Sequence, residues 1–338
     1  MNSPIVQVVP VVYEHAAAFV GKSPWEVGYS ADLLVQAHEV AWKEYHHSPL
    51  TVGIDVYNLE AECYGARVEK PEGNEVPSIK EFPLSSCGEI EKLPLFDPLR
   101  SGRFPLIFQA AKMLRKKLPS VDIRIPLGGP FSIASNLVGF DTLLIETFSE
   151  PEMVRRALLH LAVGQLRIAS AAKTEGFDVT FFESAATPPL LSPELFESVE
   201  LPALKYVMDG TGALFPHRPS FIMGGNTFPV LQYVLATNPG FIICPGETDQ
   251  AAFMEAVRPH TDLAVRINMK VEIVANGSEE ELFEETKRVF HLALGRNPML
   301  IGTGVLPYNI PPSRVHRIEE FVARCVADLE GRGDIQDA

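Results

Sequence analysis

Six apolar runs in this chain close on residues able to donate, accept or hold a proton. Asp55, Tyr57 and Asn58 fall at or just after the run 51–56, and Glu183 and Ser184 close 179–183. Gly224, Gly225 and Asn226 follow 220–223, while Cys244, Asn268 and Thr303 end the runs 241–244, 263–268 and 299–303. A carboxylate at a buried strand end keeps its proton to higher pH unless a cation pairs with it. Asp55 and Glu183 are therefore the candidate acids, bases or hydrogen-bond anchors. Each position also has a plainer reading. Asp55 can cap a loop or pair an arginine, and Ser184 with the turn after it can absorb Glu183. Asn226 and Asn268 can satisfy turn backbones, and Cys244 can be a small buried apolar residue.

Such residues meet only if the runs are arranged around a common centre. Eight short runs read as strands: 5–12, 51–56, 122–127, 179–183, 220–223, 241–244, 263–268 and 299–303. Most are continuously apolar, as expected of parallel strands buried on both faces. Helical patterns separate them at 31–45, 105–117, 150–174, 193–209, 229–236, 249–257, 278–294 and 313–329. Ser192-Pro193-Glu194 and Ser278-Glu279-Glu280-Glu281 are helix starts, and Gly176 and Gly295 suit helix ends. Strands alternating with helices in this number predict one (β/α)8 TIM barrel over 1–338, with its site at the C-terminal strand ends. The segment 57–103, rich in Pro, Gly and Glu, breaks the rhythm and is expected to form an insertion over the barrel mouth. The end, 331–338, is expected to fray.

Composition narrows the partners. The net charge of −14 disfavours a nucleic-acid backbone, and no apolar run approaches the ~20 residues a membrane span needs. Met1-Asn2-Ser3-Pro4 lacks the basic start of a secretory signal, and the four cysteines are too scattered for a disulfide framework. A reducing cytoplasm is the expected home. No HExxH, CxxC or Ser-His-Asp ordering is present, and the histidines fall in helices or loops away from the strand ends. Glu183 and Cys244 are the weak candidates for holding a metal. The Gly-rich turns lack the spacing of a phosphate cradle. A homodimer is compatible with the sequence, although no apolar helical stripe exceeds what barrel packing needs.

Five stretches resemble the uroporphyrinogen decarboxylase superfamily, which includes the corrinoid-dependent methyltransferases. They are Val52-Gly-Ile-Asp55-Val with Glu60-Ala-Glu62-Cys-Tyr-Gly65, and Gly129-Pro-Phe-Ser-Ile-Ala-Ser135 with Gly139. Phe182-Glu-Ser184 before Leu191-Ser-Pro193, Gly225-Asn226, and Gly302-Thr-Gly304 before Pro311 complete the set, which runs from about residue 9 to 326. The resemblance implies a (β/α)8 barrel. Against the decarboxylase branch, Val9-Pro-Val-Val-Tyr-Glu-His carries no arginine for porphyrinogen carboxylates, Asn136 replaces a tyrosine, and Thr303 stands within Gly302-Thr-Gly304 where that branch has histidine.

The methyltransferase branch is the closer match. It implies transfer of a methyl group between a small methylated compound, of methoxyl-ether or methylamine type, and a corrinoid (cobalamin) on a separate corrinoid-binding protein. Asp55 or Glu183 would donate to the leaving heteroatom. Tyr57, Asn136, Ser184, Asn226, Asn268 and Thr303 would bind substrate. The branch's zinc-binding members place ligands where this chain has Ile222, Gly224 and Val305, none of which can hold a metal, so the resemblance leaves zinc open. Two other readings stand beside this one: a lyase acting on a smaller carboxylated substrate, and a ligand-binding barrel without catalysis.

Overall fold

Each of the eight apolar runs overlaps a strand of one parallel sheet, the run 51–56 by Thr51 alone. The computed structural model describes residues 5–331, so the expectations for Met1–Pro4 and for the tail beyond 331 lie outside the described residues. In chain order the strands are β1 (Val6–Val11), β2 (Leu50–Thr51), a small pair β3 (Val68–Glu69) and β4 (Ser78–Ile79), β5 (Ile123–Gly128) and β6 (Asp178–Phe182). They continue with β7 (Ser220–Ile222), β8 (Phe241–Cys244), β9 (Ala264–Asn268) and β10 (Met299–Val305). The main ladder runs β1-β10-β9-β8-β7-β6-β5-β2, with each neighbouring pair in that order parallel, and β3-β4 is a separate antiparallel hairpin. Residues from all eight main strands line one cavity, so the sheet curls into a TIM-type barrel with helices outside.

Alternation along each strand decides which side chains face that cavity. On β6, Thr180 and Phe182 point in while Val179 and Phe181 pack outward; on β8, Phe241 and Ile243 point in while Ile242 and Cys244 do not. On β9, Arg266 and Asn268 face in, and Val265 and Ile267 join the apolar layer under the helices. That outer layer is the main core, where the apolar faces of helices such as Pro151–Thr174 and Glu279–Ala293 bury against the strands.

Local chemistry fixes the boundaries. Ser278 and Glu281 form a reciprocal cap at the start of Glu279–Ala293, and Gly176 and Gly295 adopt left-handed φ of 78° and 83° after their helices. The ladder keeps β2 to two residues because the chain turns at Gly53, whose N–H donates to His38 Nε2 at 3.2 Å. The helix expected over 193–209 is interrupted by a π-helical turn, Phe196–Glu200. Pro202 follows directly and has no N–H to continue the regular ladder.

The segment 57–103 divides. The β3-β4 loop brings Val76 to the cavity wall, whereas the turn Cys87–Lys92 packs along the flank of Pro151–Thr174. Among the described residues no helix is long and apolar enough to cross a membrane.

Candidate active site

The barrel encloses a cavity of about 840 Å³. Its wall is largely apolar, with Val9, Ile222, Ile243 and Leu300 between a few polar groups. Tyr13 and Tyr57 each meet the Phe182 ring edge-on at 5.9 Å, giving an aromatic flank. The Tyr57 hydroxyl lies 3.0 Å from Ser184 Oγ, and both residues line the cavity. Burial pushes the Tyr57 phenol up to about 12, so it is a neutral donor across the physiological range.

Asp55 also lines the cavity, but its carboxylate is already engaged. Arg103 grips it with two hydrogen bonds of 2.8 and 2.6 Å, and Asn58 Nδ2 donates to Oδ2 at 2.9 Å. Arg103 Nε also donates to Glu62 at 2.6 Å, and its guanidinium lies 4.3 Å from the Tyr29 ring centre. Burial alone would lower the Arg103 pKa; the Asp55 hydrogen bonds and charge, then Glu62, carry it above the ordinary range instead. The paired-arginine reading therefore describes Asp55, whose two oxygens are already taken up by the Arg103 fork and Asn58.

Glu183 does not reach the cavity. It is fully buried, and parity explains why: Phe182 faces in, so its neighbour faces out. Ser132 Oγ donates to Oε1 at 2.5 Å, and the N–H groups of Phe131, Ser132 and Ala185 donate at 3.2, 3.3 and 3.1 Å. The carboxylate thus sits at the N-terminus of the helix Pro130–Val138, where backbone donors favour negative charge. Gly129 permits this approach, since a Cβ there would overlap the Glu183 carboxylate. Burial nonetheless raises the Glu183 pKa, chiefly by desolvation, with the Ser132 contacts opposing it. Behind it lies Glu200, also buried, whose oxygens accept from no donor and whose pKa burial and the Glu183 charge push far up. Desolvation and the neighbouring Glu183 charge therefore both favour the protonated form of Glu200. The expected role of Glu183 as donor to a substrate gives way to a structural one.

The other candidates also separate. Asn268 and Ser184 line the cavity, whereas Asn136, Asn226, Thr303 and the metal candidate Cys244 do not. Asn136 Nδ2 donates to the Tyr57 carbonyl at 2.8 Å and so steadies the loop that carries Tyr57. Asn226 accepts from Thr248 Oγ1 at 3.1 Å. Thr303 accepts from the Val11 N–H at 3.1 Å across the β1-β10 seam. Burial pushes the Cys244 thiol up to about 12, the state of an inert core cysteine.

Ile222, Gly224 and Val305 all line the cavity but offer no metal-binding atoms. Among the described residues no group of three or more His, Cys, Asp or Glu could hold a metal ion, so this donor set does not fit zinc.

Two arginines in the wall escaped the sequence reading. Arg124 is neutralised: it donates to Asp122 at 2.6 and 2.9 Å and to Ser220 at 2.6 Å, and Asp178 lies 3.5 Å away. Arg266 makes no ion pair among the described residues. Its Nε donates to Asn268 Oδ1 at 3.1 Å, and its guanidinium lies 5.8 Å from the Phe241 ring centre. Burial lowers its pKa to about 10, partly offset by Tyr13, so it remains a cation at neutral pH. The signal was readable, since Arg266 stands two residues before Asn268 and so shares its face.

Comparison with known proteins was consistent with this architecture. The family described as uroporphyrinogen decarboxylase (URO-D) matches residues 3–325. The methylcobamide:CoM methyltransferase MtaA of Methanosarcina barkeri (strain Fusaro / DSM 804) is 26% identical over 176 residues, covering 46% of this chain and 52% of that protein. The chloroplastic uroporphyrinogen decarboxylase of Nicotiana tabacum is 24% identical over 231 residues, covering 66% and 58%. The chain thus spans little more than half the length of the curated relatives it matches. A solved structure, a methyltransferase from Methanosarcina mazei, superposes with a TM-score of 0.80 at 18% identity, covering 96% of this chain and 94% of that one, a likeness of fold.

Proposed function

The chain belongs to the uroporphyrinogen decarboxylase family, and from that premise we propose that it moves a methyl group between a small methylated compound and a corrinoid carried on a separate protein. The observation that carries this reading is the charge of the cavity. A porphyrinogen brings many carboxylates, but the arginines in the wall are Arg124, already held by two aspartates, and Arg266. Glu14, Asp55 and Glu247 stand in the same wall. A polycarboxylate is repelled there, and a small, mostly apolar molecule is not.

The missing metal donors at Ile222, Gly224 and Val305 favour transfer from the small compound to the corrinoid over transfer to a zinc-bound thiol. The bond between methyl carbon and heteroatom breaks, and the electron pair stays on the heteroatom. A corrinoid presented at the barrel mouth would supply the pair for the new bond to carbon. In this reading Tyr57, backed by Ser184, donates a hydrogen bond to the departing heteroatom, and Asn268 orients the substrate. Asp55 acts as a positioning residue: with Arg103 and Asn58 it holds the turn that presents Tyr57. The rate gain comes mainly from aligning the methyl group at the barrel mouth.

Free cob(I)alamin provides the test. With methoxylated aromatic compounds or methylamines and the intact protein, the Co(I) absorbance is expected to fall as the corrinoid is methylated. Tyr57→Phe should slow that change at least tenfold, in keeping with loss of one hydrogen bond to the developing charge. No methylation with either class, together with CO2 release from a carboxylated substrate, would replace this reading with a lyase.

A further inference from the structure

The geometry points to Arg266 as the anchor for a carboxylate, so that the cavity takes a small aromatic monocarboxylate with its acid group on β9 and its ring against Tyr13, Tyr57 and Phe182. This rests on the cavity being the substrate site, but not on which group is transferred.

The argument begins with satisfaction. A buried guanidinium is costly unless its donors and its charge find partners. Arg103 meets that condition with Asp55 and Glu62. Arg296 and Arg314 have no carboxylate either, but each fills its fork with main-chain carbonyls: Val257, His260 and Leu263 for one, Ile273, Val274 and Gly277 for the other. Arg266 is only 8% exposed and spends Nε on Asn268, leaving the fork of terminal nitrogens toward the cavity without a counter-charge. A planar fork matches a carboxylate edge-on, forming two parallel hydrogen bonds.

The surroundings are shaped around this side chain. At Gly302, on the adjoining strand β10, a Cβ would overlap Asn268 Oδ1 and come within 2.9 Å of Arg266 Cδ and Nε. The absence of a side chain at Gly302 is therefore what lets Arg266 and Asn268 lie side by side. Tyr13, Tyr57 and Arg266 all line the cavity, and Tyr13 and Tyr57 both pack on the Phe182 ring, so they belong to one wall. The aromatic edges of Tyr13, Tyr57 and Phe182 suit a flat ring. Among the described residues of the cavity wall, Arg266 is the one arginine without a carboxylate partner, and one such cation selects one negative charge, which is the class of ligand stated above.

Calorimetric titration with benzoate and benzamide tests the assignment without corrinoid or methyl donor. The two ligands have nearly the same shape and differ in charge. Benzoate should bind at least tenfold more tightly than benzamide. Arg266→Met should remove that preference, and Arg266→Lys should keep part of it through charge without the fork. Absent benzoate binding, equal affinity for the two ligands in the wild-type protein, or a preference that survives in Arg266→Met, would overturn the proposal. The wild-type comparison stands even if a variant fails to fold. A negative cobalamin assay would leave benzoate selectivity intact, and loss of selectivity would leave methyl transfer intact, so the two proposals fail separately.

Discussion

Arg103, held against the cavity-lining Asp55, and Arg266, in the cavity wall itself, are buried to nearly the same degree, 6% and 8% exposed, but their surroundings are opposite. Two carboxylates, a carbonyl and an aromatic face enclose Arg103, while Arg266 has one amide and a more distant ring. A closed set of partners identifies a group that holds the fold together. An open set identifies a group kept at a cost because a ligand completes it. The acidic candidates from the sequence belong to the first kind, as does Arg124, and Arg266 belongs to the second.

The largest effect that could break this comparison is on stability. Arg103→Met leaves Asp55 and Glu62 buried without their cation, and removing one partner of a buried pair typically costs about 3–5 kcal/mol. Arg266→Met strands no acid and fills the space with an apolar chain, so its stability should equal or exceed that of the wild type. Urea unfolding of the two variants measures both. If Arg266→Met loses as much as Arg103→Met, Arg266 is a structural residue and the contrast collapses.

A second prediction sharpens the rule for unpaired charge. Glu60 is fully buried and lies outside the cavity wall; Gly128 N–H donates to one oxygen at 2.5 Å, and the other has no partner. Tyr64 Oη and Gln165 Oε1 are likewise unpartnered. Burial raises the Glu60 pKa to about 7 from an ordinary 4.5. An unpaired acid can take up a proton, which arginine cannot readily lose, so Glu60 needs no ligand. The raised folded value means that its stabilising contribution is complete below pH 4.5 and lost as pH rises through 7. Glu60→Gln should remove this term, on the order of 3 kcal/mol between those limits. The measurement is the difference in unfolding free energy between variant and wild type across that range. A difference that does not change with pH would mean that Glu60 is ionised throughout.

Much of the barrel was legible because continuous apolar runs and helix caps are local signals. Each of the eight strands was placed within a few residues, and Ser278 and Gly295 marked their helix ends as expected. The π-turn before Pro202 and the helices Pro130–Val138 and Phe140–Ser149, which meet at Gly139, were not. Of the candidate site residues, Asp55, Tyr57, Ser184 and Asn268 line the cavity, whereas Glu183, Asn136, Asn226 and Thr303 do not. Taking the final residue of each strand as cavity-facing ignores the two-residue period, which turns Glu183, Cys244 and Thr303 outward and Phe182, Ile243 and Arg266 inward. Pairing partners were hidden for another reason: Arg103 is 48 residues from Asp55, and nothing local in the sequence joins them.

The smallest effect on stability should be the most specific to the cavity. Two glycines each make room for a polar side chain, Gly129 for Glu183 and Gly302 for Asn268 and Arg266. Around Gly129 the crowded atoms include Glu183 Cβ as well as its carboxylate, which is fixed by four donors, so Gly129→Ala has no easy relaxation. Around Gly302 the crowded atoms are the outer parts of two side chains that border open space, and these can swing away. Gly302→Ala should therefore cost only ~1 kcal/mol, at the low end for an inserted methyl group. The swing moves the guanidinium off its position, so benzoate affinity should drop about tenfold while benzamide affinity barely changes. Chemical unfolding and calorimetry on the same preparation separate the two quantities. Equal losses for both ligands would mean that Gly302 shapes the cavity as a whole and does not specifically hold Arg266 in place.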